Sequence, residues 1–149
     1  MPGGTIAVAS DHAGFDLKEL LKRDLQAAGR EVLDLGTNST ESVDYPDYGT
    51  AMAEAIASGR AQWGVLVCGT GIGISIAANR NPKVRAALAH DVTSARLARE
   101  HNDANVVAFG QRLIGTETAR EALRVFLATK WEGGRHAARV AKLSKGCSQ

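Results

Sequence analysis

The feature of this sequence that most constrains its fold is a regular alternation of short β-branched runs with longer amphipathic stretches. Such alternation is typical of parallel strands that are joined by crossover helices. It predicts an α/β fold, a doubly wound sandwich with a five-stranded parallel sheet, in which ligands bind beyond the carboxyl ends of the strands. The predicted strands are residues 6–9, 31–35, 63–67, 85–88 and 105–108.

Two of the intervening stretches have clear helical periodicity, because their apolar residues recur every three or four positions. We expect Gly29 to end the first helix as a C-cap and Thr116 to begin the second as an N-cap. The residues that define the two apolar faces are Leu17, Leu20, Leu21 and Leu25 in the first helix, and Ala119, Ala122, Leu123 and Phe126 in the second.

Length and composition indicate one domain, which we expect to span residues 1–149, with a loose tail at 144–149. No apolar run approaches the roughly 20 residues of a transmembrane helix. The first residues also lack a basic segment followed by an apolar one, so we expect no signal peptide. These patterns predict a cytoplasmic protein with no membrane partner.

The charge, the cysteines and the histidines argue against nucleic-acid binding, a disulfide framework and a metal site. A formal net charge of +2 is too small to indicate a nucleic-acid partner. The two cysteines, Cys68 and Cys147, do not form a disulfide framework. Four scattered histidines show no spacing typical of zinc ligands, so the sequence indicates no metal site.

A glycine-rich segment follows the third predicted strand, with glycines at positions 69, 71 and 73. Glycines let backbone N–H groups approach an anion, and the start of the next helix adds a positive dipole end. A dinucleotide-binding fingerprint fits poorly, because Ile74 stands where its third glycine is needed. The segment is equally compatible with a tight turn that binds nothing. Cys68 directly precedes it, either as a base activated by the helix N-terminus or as a small buried hydrophobe.

Other polar residues fall at or near the same predicted sheet edge. Asp11 and His12 follow the first strand and could supply a proton donor and an anion ligand, although Asp11 could simply cap a helix. His101 and Asn102 precede the last strand in a polar run, where a solvated helix end is the competing interpretation.

Two arginines near the end of the chain have the spacing of a phosphate site. Arg135 and Arg139 share one helical face, where they could grip a phosphate or form a solvated basic surface. Gly133 and Gly134 come directly before Arg135, which suggests a C-terminal helical arm that folds over the body or onto a partner chain.

Taken together, these segments resemble type B ribose-5-phosphate isomerases of the ribose/galactose isomerase family, in order and in spacing. The resemblance covers almost the whole chain. It implies a Rossmann-like fold, no metal or cofactor, and a homodimer or dimer of dimers whose active sites are built from two subunits. The matching segments are 10–14 (SDHAG), 44–46 (DYP), 68–79 (CGTGIGISIAAN), 99–105 (REHNDAN) and 133–136 (GGRH).

The resemblance also implies a role for each site residue. Cys68 matches the base that moves a proton between C1 and C2, and Thr70 matches the group that exchanges protons between O1 and O2. Asp11 and His101 match the pair that opens the sugar ring. The implied substrate-binding residues are Tyr45 and Asn102 for the sugar, backbone N–H groups from Gly69 through Gly71 to Gly73 for the enediolate, and His12, Arg135 and Arg139 for the phosphate, with Arg112 joining from the neighbouring subunit.

Two features bear on alternatives. Some family members use a carboxylate base four residues beyond the Cys68 position, but Ile72 stands there, which favours a cysteine base. Isomerases of allose 6-phosphate and galactose 6-phosphate share much of the pattern, so ribose 5-phosphate is the preferred substrate among several. A non-enzymatic nucleotide-binding module would use the same fold, but it gives no reason for Cys68, His101 and the paired arginines together.

Overall fold

The computed structural model describes residues 3–145, which form a five-stranded parallel sheet between two layers of helices. The order of strands across the sheet is β2-β1-β3-β5-β4. The strands are β1 (Ile6–Ser10), β2 (Val32–Asp34), β3 (Trp63–Cys68), β4 (Ala86–Leu88) and β5 (Val106–Gly110). The α-helices are α1 (Phe15–Ala27), α2 (Tyr45–Ala57), α3 (Ile72–Ala78), α4 (Val92–Asn102), α5 (Thr116–Ala128) and α6 (Ala137–Leu143).

Both faces of the sheet are buried, because helices cover each of them. Along β1 the side chains alternate between two hydrophobic cores. Ile6 and Val8 join the core formed with α1, α4 and α5, whereas Ala7 and Ala9 join the core formed with α2 and α3. The predicted doubly wound α/β fold is therefore confirmed, and so are its five parallel strands.

The element boundaries differ from the prediction by one or two residues, as expected where chain ends fray. Gly29 follows α1 as predicted, with a left-handed φ of +78° directly after the C-cap residue Ala28. The prediction for Thr116 is wrong, because this residue lies in the first turn of α5 and Gly115 occupies the N-cap position. Of the predicted tail, residues 146–149 lie outside the described range.

A buried lysine joins α1 to the edge strand β2. The Lys18 side chain is fully buried, and its Nζ lies 2.9 Å from Asp34 Oδ1. Lys22 binds the other carboxylate oxygen at 2.8 Å, and the Gly36 N–H donates to Asp34 as well. Backbone hydrogen bonds then tie Gly36 to Ser10 at the end of β1, so this network holds the loop beside the carboxyl end of the sheet.

The C-terminal arm, residues 129–143, packs against the end of α4 in its own chain. Arg99 donates to the carbonyl oxygen of Thr129, and the Glu132 N–H donates to the carbonyl oxygen of Glu100. Gly133 and Gly134 have φ values of +66° and +55°, which let the arm turn into a short 3₁₀ helix before α6. No helix within residues 3–145 has the length and apolar character needed to cross a membrane.

Candidate active site

An open cavity of about 510 Å³ lies at the carboxyl ends of β1, β3 and β5. β1 and β3 are neighbours at the centre of the sheet, where successive connections diverge to opposite sides, and ligands of such folds bind at this point. Three strand ends supply the polar wall, with Tyr45 from the start of α2 completing it. The lining residues are Asp11, His12, Ala13, Tyr45, Cys68, Gly69, Thr70, Ile72, Gly73, Ile76 and Arg112.

Asp11 both caps a helix and faces the cavity. Its carboxylate Oδ1 accepts hydrogen bonds from the N–H groups of Ala13 at 3.0 Å and Gly14 at 3.1 Å. These bonds cap the 3₁₀ turn that leads into α1, as the competing interpretation of this residue expected. Only 5% of the residue is exposed, so the cap fixes the carboxylate at the cavity wall.

His12 has a defined tautomer. Its Nδ1 accepts a hydrogen bond from the N–H of Val43 at 3.1 Å, so in the neutral ring the proton lies on Nε2. Nε2 is therefore a donor. A half-buried ring with this donor at a cavity wall can bind an anionic group without being protonated.

Cys68 is the last residue of β3 and is only 4% exposed. Its Sγ accepts a hydrogen bond from the N–H of Gly71 at 3.1 Å, which orients the sulfur within the turn that follows the strand. The hydroxyl oxygen of Thr70 accepts in the same way from the N–H of Ile72 at 3.2 Å. Both predicted catalytic side chains of this turn are thus held by backbone donors from the turn itself.

The glycines of this turn are required by close packing. Gly71 has a φ of +77°, and a side chain there would collide with Leu88 and with the backbone of Phe109. A side chain at Gly73 would collide with the Tyr45 ring, so this glycine lets Tyr45 lie against the start of α3. Gly71 itself does not line the cavity.

Arg112 reaches the cavity within its own chain. A Cβ placed on Gly69 would lie 3.1 Å from Arg112 Nη1, so the guanidinium group covers this glycine closely. The resemblance implied that Arg112 would join the phosphate ligands from a neighbouring subunit. The structure differs, because the turn after β5 directs Arg112 toward the β3 turn beside it.

Besides Gly71, four predicted site residues do not line the cavity of their own chain. Asn102 borders a separate hollow of about 340 Å³ with Arg85 and Leu143. His101 lies at the end of α4, where its ring stacks on that of His136 with centroids 4.5 Å apart. Arg135 and Arg139 are exposed on the C-terminal arm. Within one chain, the predicted site therefore divides into a cavity group and an arm group.

The arm group includes two residues to which sequence reasoning assigned no role. His136, a residue of the arm, has a buried side chain, and its Nε2 lies 3.6 Å from Glu132 Oε1. Burial lowers the pKa of His136, as do the charges of Arg135 and of His101, while Glu132 opposes them. The four-residue spacing of Glu132 and His136 was the only available signal, because His101 reaches them through tertiary packing.

Comparison with known proteins places this geometry in a family. The Ribose/Galactose Isomerase family profile matches residues 6–143. The chain is 46% identical to ribose-5-phosphate isomerase B of Escherichia coli over 139 residues, covering 93% of each protein. It is 43% identical to D-erythrulose-4-phosphate isomerase of Pectobacterium atrosepticum over 140 residues, covering 93% of this chain and 92% of that protein.

Solved structures agree with the sequence relatives. Ribose-5-phosphate isomerase B of Clostridium thermocellum superposes with a TM-score of 0.93 at 47% identity, covering 94% of this chain and 95% of that one. The Thermotoga maritima ribose 5-phosphate isomerase superposes with a TM-score of 0.92 at 51% identity, covering 95% and 97%. With the profile and these relatives spanning nearly its whole length, the chain belongs to the ribose/galactose isomerase family.

Proposed function

We propose that this protein is an aldose–ketose isomerase that interconverts ribose 5-phosphate and ribulose 5-phosphate through an enediolate intermediate. Cys68 carries the proposal, because it lines the cavity and its sulfur accepts a hydrogen bond from the Gly71 N–H. His12 and Arg112 line the same cavity and offer donors to an anionic substrate. The names of the relatives support the same class of reaction.

In the proposed reaction, the Cys68 thiolate removes the proton from C2 of the open-chain aldose, and the same sulfur returns it to C1. Thr70 passes a proton from O2 to O1, so the carbonyl moves from C1 to C2 with no net loss of protons. The N–H groups of Gly71 and Ile72 are taken up by Cys68 and Thr70. We therefore assign stabilisation of the enediolate to the other N–H groups of the turn from Gly69 to Gly73.

We further propose that the working enzyme is a homodimer or a dimer of dimers. His101, Asn102, Arg135 and Arg139 are absent from the cavity lining of their own chain, so a complete site needs the arm of a second copy. Ile72 and Ile76 at the cavity rim are 48% and 59% exposed, which supplies apolar surface for such a contact. The second copy would then provide His101 to open the ring with Asp11.

In the assembled site, the phosphate is bound by His12 together with Arg112, Arg135 and Arg139. Tyr45 and Asn102 contact the sugar. All steps use groups of the chain itself, and the proposal includes no metal or cofactor.

The substrate is tested by direct comparison of sugar phosphates. The purified protein, with a chelator present, is assayed for aldose-to-ketose conversion of ribose 5-phosphate, allose 6-phosphate and galactose 6-phosphate. D-erythrulose 4-phosphate, for which one relative is named, is a ketose and is assayed in the reverse direction, from ketose to aldose. We expect the highest kcat/KM with ribose 5-phosphate. A higher value with another sugar would change the assigned substrate, and tight nucleotide binding without turnover of any sugar would overturn the isomerase assignment.

A further inference from the structure

Three potential metal ligands converge where the C-terminal arm meets the end of α4. The ligating atoms of His101, Glu132 and His136 all lie within 4.8 Å of one another. His101 is the penultimate residue of α4, whereas Glu132 and His136 belong to the arm. The backbone hydrogen bond from the Glu132 N–H to the Glu100 carbonyl oxygen holds the arm against α4 at this point. The cluster is therefore a product of tertiary packing, and it lies outside the cavity described above.

One polar atom of this cluster is buried and lacks a hydrogen-bond partner. His136 is only 6% exposed, and its Nε2 is buried without a hydrogen-bond partner. The Glu132 carboxylate, at 3.6 Å, is too distant for a hydrogen bond. A buried polar atom without a partner is costly, and such atoms in native proteins often meet a ligand, an ion or a water. Burial and the charges of Arg135 and His101 lower the pKa of His136, and the neutral form of an imidazole is the one that binds metal ions.

From this convergence we propose that His101, Glu132 and His136 bind one divalent transition-metal ion of the Zn²⁺ or Co²⁺ type. Two imidazole nitrogens and one carboxylate oxygen are ligands that such ions prefer, and three protein ligands leave a position for water. Mg²⁺ and Ca²⁺ require mainly oxygen ligands and are not expected to bind. The positive charges of Arg135 and Arg139, which act on His136, further disfavour ions that are held by charge alone.

Metal binding changes the arrangement of the two rings. The His101 and His136 rings are stacked with an interplanar angle of 18°. A metal ion lies close to the plane of each ring that binds it, so a shared ion requires His101 to turn off the face of His136. Provided that the proposed function is correct, an occupied site also withdraws His101 from ring opening. The ion is therefore an inhibitor of the isomerase and not a cofactor.

Binding is tested without reference to activity. The full chain, freed of metal with a chelator and then desalted, is titrated with Co²⁺ while its visible d–d absorption is recorded, and with Mg²⁺ as the contrasting ion. We expect one Co²⁺ per chain with the intense absorption of a tetrahedral site. Removing a group that only hydrogen-bonds to a metal ligand typically costs about 10- to 100-fold in metal affinity, and losing a direct ligand should cost at least as much. Glu132→Gln and His136→Gln are therefore expected to weaken Co²⁺ binding by that factor.

Two variants serve as controls. His90→Gln removes an exposed histidine outside the cluster, and Cys68→Ala removes the one described free thiol. Both should bind Co²⁺ as the parent does. Glu132 is exposed, so Glu132→Gln should fold normally even if His136→Gln does not. Absent Co²⁺ absorption, or absorption that Glu132→Gln leaves unchanged, would overturn the proposed site.

A second measurement separates the metal site from the proposed function. Zn²⁺ should inhibit ribose 5-phosphate isomerisation by the parent, a chelator should restore the activity, and Glu132→Gln should resist inhibition by at least the factor found for Co²⁺. Zn²⁺ binding without inhibition would keep the site but overturn its effect on His101. An inactive enzyme that still binds Co²⁺ would contradict only the proposed function.

Discussion

The backbone N–H of Gly71 donates a hydrogen bond to the sulfur of Cys68, with a nitrogen-to-sulfur distance of 3.1 Å. Gly71 also has a left-handed φ of +77°, a conformation that glycine adopts at no steric cost. A backbone N–H of the turn thus orients the proposed catalytic base, and the first two predictions test the two partners separately.

Replacing Cys68 with alanine should abolish proton transfer at carbon while leaving the cavity wall intact. General base catalysis typically contributes about 10²- to 10⁴-fold, so kcat should fall by that order with little change in affinity for ribose 5-phosphate. Steady-state kinetics and direct substrate binding provide the two readouts. Near-parental turnover by Cys68→Ala would show that the thiol only fills the core.

Replacing Gly71 with alanine should destabilise the protein through both strain and collision. Gly59 provides a matched control, because its φ is +81° and a Cβ there would meet nothing within 4 Å. Left-handed backbone costs a non-glycine residue roughly 1–2 kcal/mol, which is the loss expected for Gly59→Ala. Gly71→Ala should lose more unfolding free energy in urea and should also lose kcat. Equal losses for the two variants would show that the packing around Gly71 is not restrictive.

Replacing Arg135 or Arg139 with alanine should weaken binding of the phosphate group. A hydrogen bond to a charged group is worth about 1.5–3 kcal/mol, so KM for ribose 5-phosphate should rise by about 10- to 100-fold. Arg124→Ala, an exposed arginine on α5, is the control and should keep the parental KM. Unphosphorylated ribose should not distinguish any of these variants from the parent. An unchanged KM in both arm variants would refute the phosphate assignment.

Mixing Cys68→Ala with Arg139→Ala should restore activity if each site is shared between subunits, when the assay uses ribose 5-phosphate well below the raised KM so that each variant alone is nearly inactive. In a dimer of one Cys68→Ala chain and one Arg139→Ala chain, one of the two sites has both residues intact. Random reassociation of equal amounts should therefore recover about one quarter of the parental sites. Activity would be measured after the mixture has been dissociated and reassociated. Failure to complement, or a fully active monomer in sedimentation, would contradict a shared site.

Acid should remove the stabilisation supplied by Asp34. Burial alone would raise its pKa, but hydrogen bonds from Lys22, Lys18 and the Gly36 N–H outweigh burial and hold the pKa below 3.8. Because the pKa is lower in the folded state, this stabilisation is complete above pH 3.8 and is lost as the pH falls through the folded-state value. The sign therefore predicts a less stable protein at low pH.

The Asp34→Asn variant tests this linkage. It removes the carboxylate that hydrogen-bonds to the buried Lys18, which keeps only Glu19 at 3.7 Å, and it should lower the unfolding free energy at pH 7 by roughly 1–3 kcal/mol. The difference from the parent should shrink as the pH falls below 3.8, as followed by urea unfolding across pH. The exposed Glu121→Gln should behave as the parent throughout. A difference that stays constant with pH would assign the effect of Asp34 to its shape and not to its charge.

Local chemistry allowed the sequence to predict the fold and the cavity. The alternation of strand and helix periods places Asp11 and Cys68 at the ends of central strands, and parallel strands bring those ends to one edge. Cys68, Asp11 and His12 could therefore be identified from their places at strand ends, whereas Tyr45, Thr70 and Arg112 were predicted only from the family resemblance; all six line the cavity.

Only the tertiary structure decided how the distant segments meet. The stacking of His101 on His136 and the burial of Lys18 against Asp34 depend on how the arm and α1 pack onto their neighbours. The helical periodicity of α1 was read from its leucines alone, and it could not reveal that Lys18 would lie 2.9 Å from the carboxylate at the end of β2. The reason is physical: spacing along the chain specifies which face a residue occupies, whereas contacts between elements depend on the packing of whole surfaces.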